Sequence, residues 1–432
     1  MFKKFYQYVI PSMLTFLVNG IYVSIDGFFV GRTVGDVGLG SINVAWPLAA
    51  FILAIGTGIG VGGSVIMSAH SGAGNKDKAD KVLGNTLMLL IVSSVVISIF
   101  LLLLDKKLLQ LMGAEGEILE MGHGYIRVMA YGAIIQVLGT GITPLLRNRN
   151  KPMTAMILSI SNFVIDTICS GVFVTLLGLG VKGAAIGTVI GQLVIVIPAI
   201  LILFKKENRV AAKYYRLQKD NILRIIRAGL PIMGLSFIPN VTILIINRQA
   251  VNYGGTTAIA SFAVISYVLS IGQLLAQGVG EGSQPLISYY FGARDRNKVH
   301  QLRKWTYIMA MGISIFVMFL VILLRNVIPA FYGASVETAK VLETALLFSS
   351  FSLPLYAFSR VTTEYFNAIN ESKYSSLMVY GEVLAALPAA AVLLPLLLGL
   401  NGVWAAIVVV QLIMVIAGVF LMKRNKAMVL FD

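Results

Sequence analysis

The chain has 432 residues, 57% of them apolar and 12% charged, with a mean hydropathy of +0.86 and a net charge of +15. Soluble chains carry about a quarter charged residues, so a single soluble domain is excluded. The lone Cys169 excludes a disulfide scaffold, and the apolar content excludes long disorder. An all-α polytopic membrane protein remains. Its positive charge falls in short breaks between apolar runs, the pattern of membrane orientation and not of a nucleic-acid surface. Met1-Phe-Lys-Lys precedes an apolar run without a small-residue cleavage site, so the first span is expected to stay in place.

A hydrocarbon core about 30 Å thick needs roughly 20 helical residues to cross it. Twelve runs satisfy this, near 9–30, 40–70, 83–104, 118–146, 153–178, 183–204, 226–247, 258–290, 303–328, 338–366, 374–398 and 402–422. They are continuously apolar and do not alternate, which favours helices over a barrel. The second, fourth, eighth and tenth exceed a straight crossing and are expected to tilt or bend. With the N-terminus inside, inner segments hold 25 of the 34 Lys and Arg residues and outer segments seven, with Arg127 and Arg360 inside spans. This bias predicts both termini on the cytoplasmic side. The expected address is a cytoplasmic membrane. Lys205 to Arg227 holds eight basic residues and reads as a cytoplasmic linker that touches anionic head groups.

The sequence repeats. Shifted by 220, Pro11 falls on Pro231, Gly35 on Gly255, and Gly58, Gly60 and Gly62 on Gly278, Gly280 and Gly282; Ser68 meets Ser288, Gly72-Ala73 meets Gly292-Ala293, and Lys78 meets Lys298. With one residue of slippage Gly183 matches Gly402 and Gln192 matches Gln411. An even number of spans per half makes this a parallel repeat about the membrane normal. The predicted organisation is an N-terminal lobe over 1–204, a linker over 205–225 and a C-terminal lobe over 226–432, six helices in each lobe. The glycines of the second and eighth spans read as tight helix packing or as a flexible element. Pro11 and Pro231 each remove a backbone hydrogen bond early in a lobe's first helix, so Pro11 is a candidate bending point.

Ionisable residues inside spans are functional candidates. Asp26, Asp166, Glu281, Glu364 and Glu382 supply acids. At about 1.5 Å of rise per residue, Asp26 lies roughly 25 Å and Asp166 roughly 20 Å above the inner face, with Thr188 about 7 Å below the outer one. Asn162 stands one turn before Asp166 on the same helix face. Two carboxylates with an amide and a hydroxyl in one pocket can share a proton or hold Na+ at Asp26 and Asp166. Structural acids paired with hydroxyls or with Arg127 are the alternative. In the second half, Glu281, Glu382 and Arg360 fall at similar depths, and Arg360 and Glu364 are one turn apart. They read equally as a buried ion-pair gate and as a substrate anchor. Tyr22, Phe28, Met233 and Phe237 are candidates for lining a drug cavity, or for packing and lipid contact.

Asp26-Gly-Phe-Phe-Val-Gly-Arg in the first span, Gln284-Pro285 with Tyr290-Phe291-Gly292-Ala293 in the eighth, and Gly183-Ala-Ala-Ile-Gly-Thr188 in the sixth together resemble the MATE multidrug and toxic-compound extruders, nearest the MepA-like and DinF-like branches. The resemblance covers essentially the whole chain. It implies a two-lobe MATE/MOP-type fold and export of bulky, often cationic, amphipathic drugs against H+ or Na+, without an organic cofactor. It also implies that Asp26, Asn162, Asp166 and Thr188 line a cation site, with Pro11 fifteen residues before Asp26. H+ is favoured over Na+. A monomer with lipids as its only standing partners is expected. The pattern is broken in two places. The seventh span has no acid, only Asn247 and Arg248 at its outer end, and Glu281 stands where glutamine is expected.

An enzyme would need a nucleophile, a metal cluster or a histidine constellation. His70, His123 and His300 sit near helix ends without ligand spacing and read as solvated. A flippase for a lipid-linked oligosaccharide, from the same superfamily, is the main rival. Its anionic pyrophosphate calls for deep basic residues, whereas the deep charges here are mostly acidic.

Overall fold

A computed structural model of the chain describes residues 1–205 and 210–425, except the side chains of Asn19 and residues 21–26. Tyr22 and Asp26 therefore lie outside the described side chains. The helices are α1 (Phe2–Thr33), α2 (Asp36–Gly72), α3 (Lys76–Leu111), α4 (Gly116–Tyr131), α5 (Ala133–Asn148), α6 (Pro152–Gly171), α7 (Gly180–Phe204) and α8 (Lys219–Gly292). They continue as α9 (Arg296–Leu324), the short α10 (Ile328–Phe331), α11 (Val336–Ser350), α12 (Ser352–Ala368), α13 (Ser372–Gly381), α14 (Leu387–Leu398) and α15 (Leu400–Arg424). Among the described residues nine helices are long and apolar enough to cross a membrane, or ten if the bent pair α4–α5 is one span. The 74-residue α8 is two helices meeting at Gly255, whose φ is +60°. Side chains such as Val96, Phe316 and Leu396 stand exposed on the helices, as a lipid-facing surface requires.

The expected bends have identifiable places. The fourth predicted span breaks by 61° between α4 and α5, at Gly132. The tenth breaks at Phe351, between α11 and α12. By contrast α1 is a single helix across Pro11, where the Thr15 hydroxyl donates to the Pro11 carbonyl at 2.9 Å.

The backbone carries the repeat as plainly as the sequence does. Positive φ recurs at Gly35 and Gly255, Gly74 and Arg294, Gly113 and Gly333, and Asn150 and Asn370, each pair 220 apart. Asn75 and Asp295, another such pair, cap α3 and α9 by accepting from the amides of Lys78 at 3.1 Å and Lys298 at 3.0 Å. By Gly180 and Gly399 the offset has become 219. The missing residue therefore falls between Pro152 and Gly180 in one half and between Ser372 and Gly399 in the other, stretches that each contain a π-helical turn at a different place, Val172–Leu176 and Glu382–Ala386.

Contacts group the chain as Val18–Met233 and as Met1–Leu17 with Gly234–Asp432, so the packing units do not follow the sequence boundary at the linker. Each unit has its own core, one around Leu90, Ile126 and Met129, the other around Phe5, Phe366 and Trp404. The start of α8 packs on α2. A Cβ on Gly62 would come within 2.7 Å of the Gly229 nitrogen, and one on Gly58 would strike Met233. In the other unit the start of α1 packs on the second half of α8, where a Cβ on Gly278 would lie 2.6 Å from Met13 Cα and one on Gly282 2.7 Å from Val9 Cα. Met13 and Met233 are themselves 220 apart. Gly56 and Gly60 serve a different face, pressing on Val137 and Gly141 of α5. These stripes are packing surfaces, each admitting another backbone at close range.

The linker is held rather than loosely solvated. Buried Asn85 on α3 donates to the carbonyls of Tyr214 at 3.0 Å and Arg216 at 3.3 Å, and accepts from the Gln218 amide at 2.8 Å. Tyr214 also donates to Asp77.

Candidate functional site

Among the described residues two buried polar clusters stand out, one in each unit. In the first, α6 brings Asn162 (4% exposed) and Asp166 (1% exposed) to one face. That face meets α7 at its small residues: a Cβ on Gly191 would lie 2.7 Å from both Asn162 Oδ1 and Asp166 Cβ. Ser170, one turn on, donates to Asp166 Oδ1 at 3.2 Å. Thr188 is on α7 beside Gly187, half-buried, its hydroxyl donating to the Ala184 carbonyl at 3.2 Å. The structure thus brings Asn162, Asp166 and the Thr188 segment together, while the Asp26 side chain lies outside the described residues.

Two further buried amides stand on the α5 side of α7, where sequence spacing does not mark them. Gln192 follows Gly191, with Oε1 against Gly139 of α5, and Gln136 lies on α5, its Nε2 donating to the Met129 carbonyl at 3.0 Å. Asn162 Oδ1, Gln192 Oε1 and Gln136 Oε1 are all buried without a hydrogen-bond donor among the described residues. Asn162 Oδ1, one turn from the Asp166 carboxylate and against the same Gly191, is an acceptor without a donor among the described residues, an arrangement that a proton or a hard cation with oxygen ligands relieves. The signal for Gln192 was present in the repeat, which pairs it with Gln411.

Arg127 is committed elsewhere. Its Nε lies 3.9 Å from Asp105 Oδ2, and His123 Nδ1 lies 3.1 Å from the same oxygen. The Arg127 pairing considered for the first-lobe acids thus has a different carboxylate, Asp105, buried at the end of the third span. His123 is correspondingly a partly buried residue lying against Asp105, and His300 Nδ1 meets Arg303 Nη2 at 3.3 Å. Among the described residues no group of three or more His, Cys, Asp or Glu side chains comes together as a metal site.

The second cluster centres on α12, which places Tyr356, Arg360 and Glu364 at successive turns of one face, all buried. Arg360 donates from Nε at 3.1 Å and Nη2 at 2.9 Å to the Tyr356 hydroxyl and lies over that ring. Glu382 opens the π-helical turn, and its Oε1 accepts from Gln411 Nε2 on α15 at 2.8 Å, while Gln411 Oε1 accepts from Ser359 at 3.0 Å. Both Glu382 and Glu364 lie within electrostatic range of the guanidinium. Two of the guanidinium donors thus go to the i−4 tyrosine, a partner that spacing to the acids does not reveal. Glu364 is deeply buried and does not reach an interface, its Cγ 3.1 Å from where a Gly280 Cβ would stand. Glu281, on the neighbouring turn, accepts from Gln277 at 3.4 Å.

Of the proposed cavity residues, Phe28 is exposed, Phe237 is half-buried and Met233 is drawn into the packing against Gly58.

The MatE family model matches residues 11–171 and again residues 231–392, two matches that begin one repeat apart. Multidrug export protein MepA of Staphylococcus saprophyticus is 26% identical over 292 residues, covering 67% of this chain and 64% of the relative. MepA of Staphylococcus aureus is 26% identical over 295 residues, 68% of this chain and 65% of the relative. The chain thus matches just under two thirds of the length of these relatives. A crystal structure of MATE in complex with MaL6 superposes with a TM-score of 0.92 at 25% identity, covering 98% of this chain and 96% of that one. An outward-facing multidrug resistance MATE family transporter of the MOP superfamily also gives 0.92 at 25% identity, covering 98% and 95%. A MOP superfamily transporter from Pyrococcus furiosus, at 24% identity and TM-score 0.90 over 100% of this chain and 96% of that one, shares the fold. With its duplicated family match over residues 11–171 and 231–392 and this agreement with solved MATE structures, the chain belongs to the MatE family.

Proposed function

We propose that the chain is a cation-coupled efflux antiporter, exporting lipophilic and mainly cationic compounds by alternating access, with H+ favoured as the coupling ion and Na+ the second choice. The observation that carries this reading is the buried pair Asp166 and Asn162 on one face of α6, a carboxylate one turn from an amide oxygen that lacks a donor among the described residues. Support for the cargo comes from relatives named multidrug export proteins. Asp166 holds the ion, with Asp26 as its partner from α1. Asn162 presents its oxygen at the same α6–α7 contact, and close packing at Gly187 and Gly191 keeps that face dry. An ion drives transport only by binding two conformations unequally. A site inside one lobe does this when its packing differs between inward-open and outward-open states. The distribution of Lys and Arg supports a bacterial inner-membrane protein with both termini in the cytoplasm, acting as a monomer in contact with lipid.

The test uses proteoliposomes containing the purified chain. Uptake of tetraphenylphosphonium or ethidium is followed under a pH gradient at equal Na+, and then under a Na+ gradient at equal pH. A matched anionic dye serves as the comparison. The cation should be moved uphill by the pH gradient. Preferred movement of the anion would refute the proposal and favour a flippase for a lipid-linked oligosaccharide.

A further inference from the structure

The two polar clusters overlap in the repeat, although Asp166 itself falls on Ala386 and the acid of the second cluster stands one turn earlier, at the place of Asn162. An offset of 220 carries Gln136, Gly139, Thr140 and Asn162 onto Tyr356, Ser359, Arg360 and Glu382, and an offset of 219 carries Gln192 onto Gln411. The backbone markers at Asn150 and Asn370, and the starts of α6 and α13 at Pro152 and Ser372, hold this register between the substituted positions.

Their hydrogen bonding is opposite in kind. In the first repeat the oxygens of Asn162, Gln192 and Gln136 have no donor among the described residues. In the second, each counterpart is supplied by a neighbour: Gln411 Oε1 by Ser359, Glu382 Oε1 by Gln411, and the Tyr356 hydroxyl by Arg360. The charges differ as well. Asn162 has become an acid, Glu382, and Thr140 has become a base, Arg360. An acid and a base have thus entered the copy together, with the guanidinium buried beside two carboxylates.

We infer that the second cluster is an ion site closed from within: Arg360 is a tethered cation standing where the first repeat takes a mobile one, so the chain has one coupling-ion site. Removing the tether should reopen the second site to a small monovalent cation. The inference rests on the reading of the first cluster as an ion site, and the test separates the two.

The full chain in detergent is melted in Na+, in methylguanidinium and in choline at constant ionic strength and pH. In an Asp166→Asn background, which disables the first site, Arg360→Ala should acquire a saturable upward shift of its melting midpoint with Na+ or methylguanidinium. Choline should give none. The shift should be lost when Glu382→Gln is added, and absent when Arg360 is intact. No cation response in Arg360→Ala, or an equal response with and without Glu382, would overturn the inference. Should Arg360→Ala fail to fold, cation stoichiometry on the unsubstituted chain decides. One Na+ per chain, abolished by Asp166→Asn, supports the inference; two per chain, or binding that survives Asp166→Asn, overturns it. A Na+ response confined to Arg360→Ala, with none in the chain carrying Arg360 and Asp166, would support the tether while counting against Na+ binding at the first cluster.

Discussion

Adding one methyl group at Gly62 should be among the most damaging small changes in the first unit. Its Cβ would stand 2.7 Å from the Gly229 nitrogen and 3.1 Å from Gly229 Cα, and closer still to the Ile225 carbonyl. All three obstacles are backbone, so no rotamer relieves them. Ordinary van der Waals contact begins near 3.4 Å, so α2 and the start of α8 must part by roughly 1 Å, and a gap of that size forfeits about a quarter to a half of each contact's attraction. Overpacking of this kind costs about 1–3 kcal/mol, and a backbone obstacle puts Gly62→Ala at the upper end. Gly58 lies one turn earlier on the same stripe, but the first atoms its Cβ meets belong to the Met233 side chain. Gly58→Ala should therefore cost less, and Met233→Ala should rescue much of the loss. At Gly278, the counterpart in the other unit, the obstacle is the Met13 backbone, so Met13→Ala should not rescue Gly278→Ala. Melting of the detergent-solubilised chain, followed by the surviving monodisperse peak after heating, ranks these variants. Equal losses at Gly58 and Gly62, or rescue by Met13→Ala as complete as by Met233→Ala, would refute the argument.

Two other outcomes follow from local chemistry. Asn85→Ala removes the buried amide that holds the Tyr214 and Arg216 carbonyls and the Gln218 amide; it should cost about 1–3 kcal/mol and speed limited proteolysis within 205–225, while an unchanged cleavage rate would show that Asn85 does not hold the linker. Glu371, in the turn between α12 and α13, has its pKa raised by burial. Its contribution to stability is thus greatest below the unfolded value and is lost as pH rises through the folded one. Glu371→Gln should accordingly melt higher than the parent chain on the alkaline side of that window, with the gap closing on the acid side; a gap independent of pH would contradict the assignment.

Much of the fold was legible because it depends on patterns the sequence must carry. Apolar runs mark the helices, and the 220-residue offset survives because turns such as Gly35 and Gly255 need positive φ, which glycine adopts without strain. The exchange of first helices was not legible. It depends on which backbone the Gly58–Gly62 and Gly278–Gly282 stripes admit, and a glycine stripe does not name its partner. In the sites, Asn162 and Asp166 could be paired from their spacing alone, since residues four apart share a helix face. The same spacing puts Glu364 at i+4 from Arg360, but it does not show that Tyr356 at i−4 takes two of the guanidinium donors; the geometry of α12 shows that. Gln192 and Gln136 look like ordinary amides until burial shows that their oxygens have no donor among the described residues.

The central claim is that the Asp166 cluster couples ion movement to export. Its most direct measurement compares the unsubstituted chain with Asp166→Asn and Asp26→Asn in proteoliposomes, recording proton flux and tetraphenylphosphonium flux in the same vesicles, alongside tetraphenylphosphonium binding in detergent. The account predicts that both substitutions abolish uphill transport and the linked proton flux while binding changes at most modestly. Uphill transport at the unsubstituted rate in both variants, with proton flux intact, would contradict it.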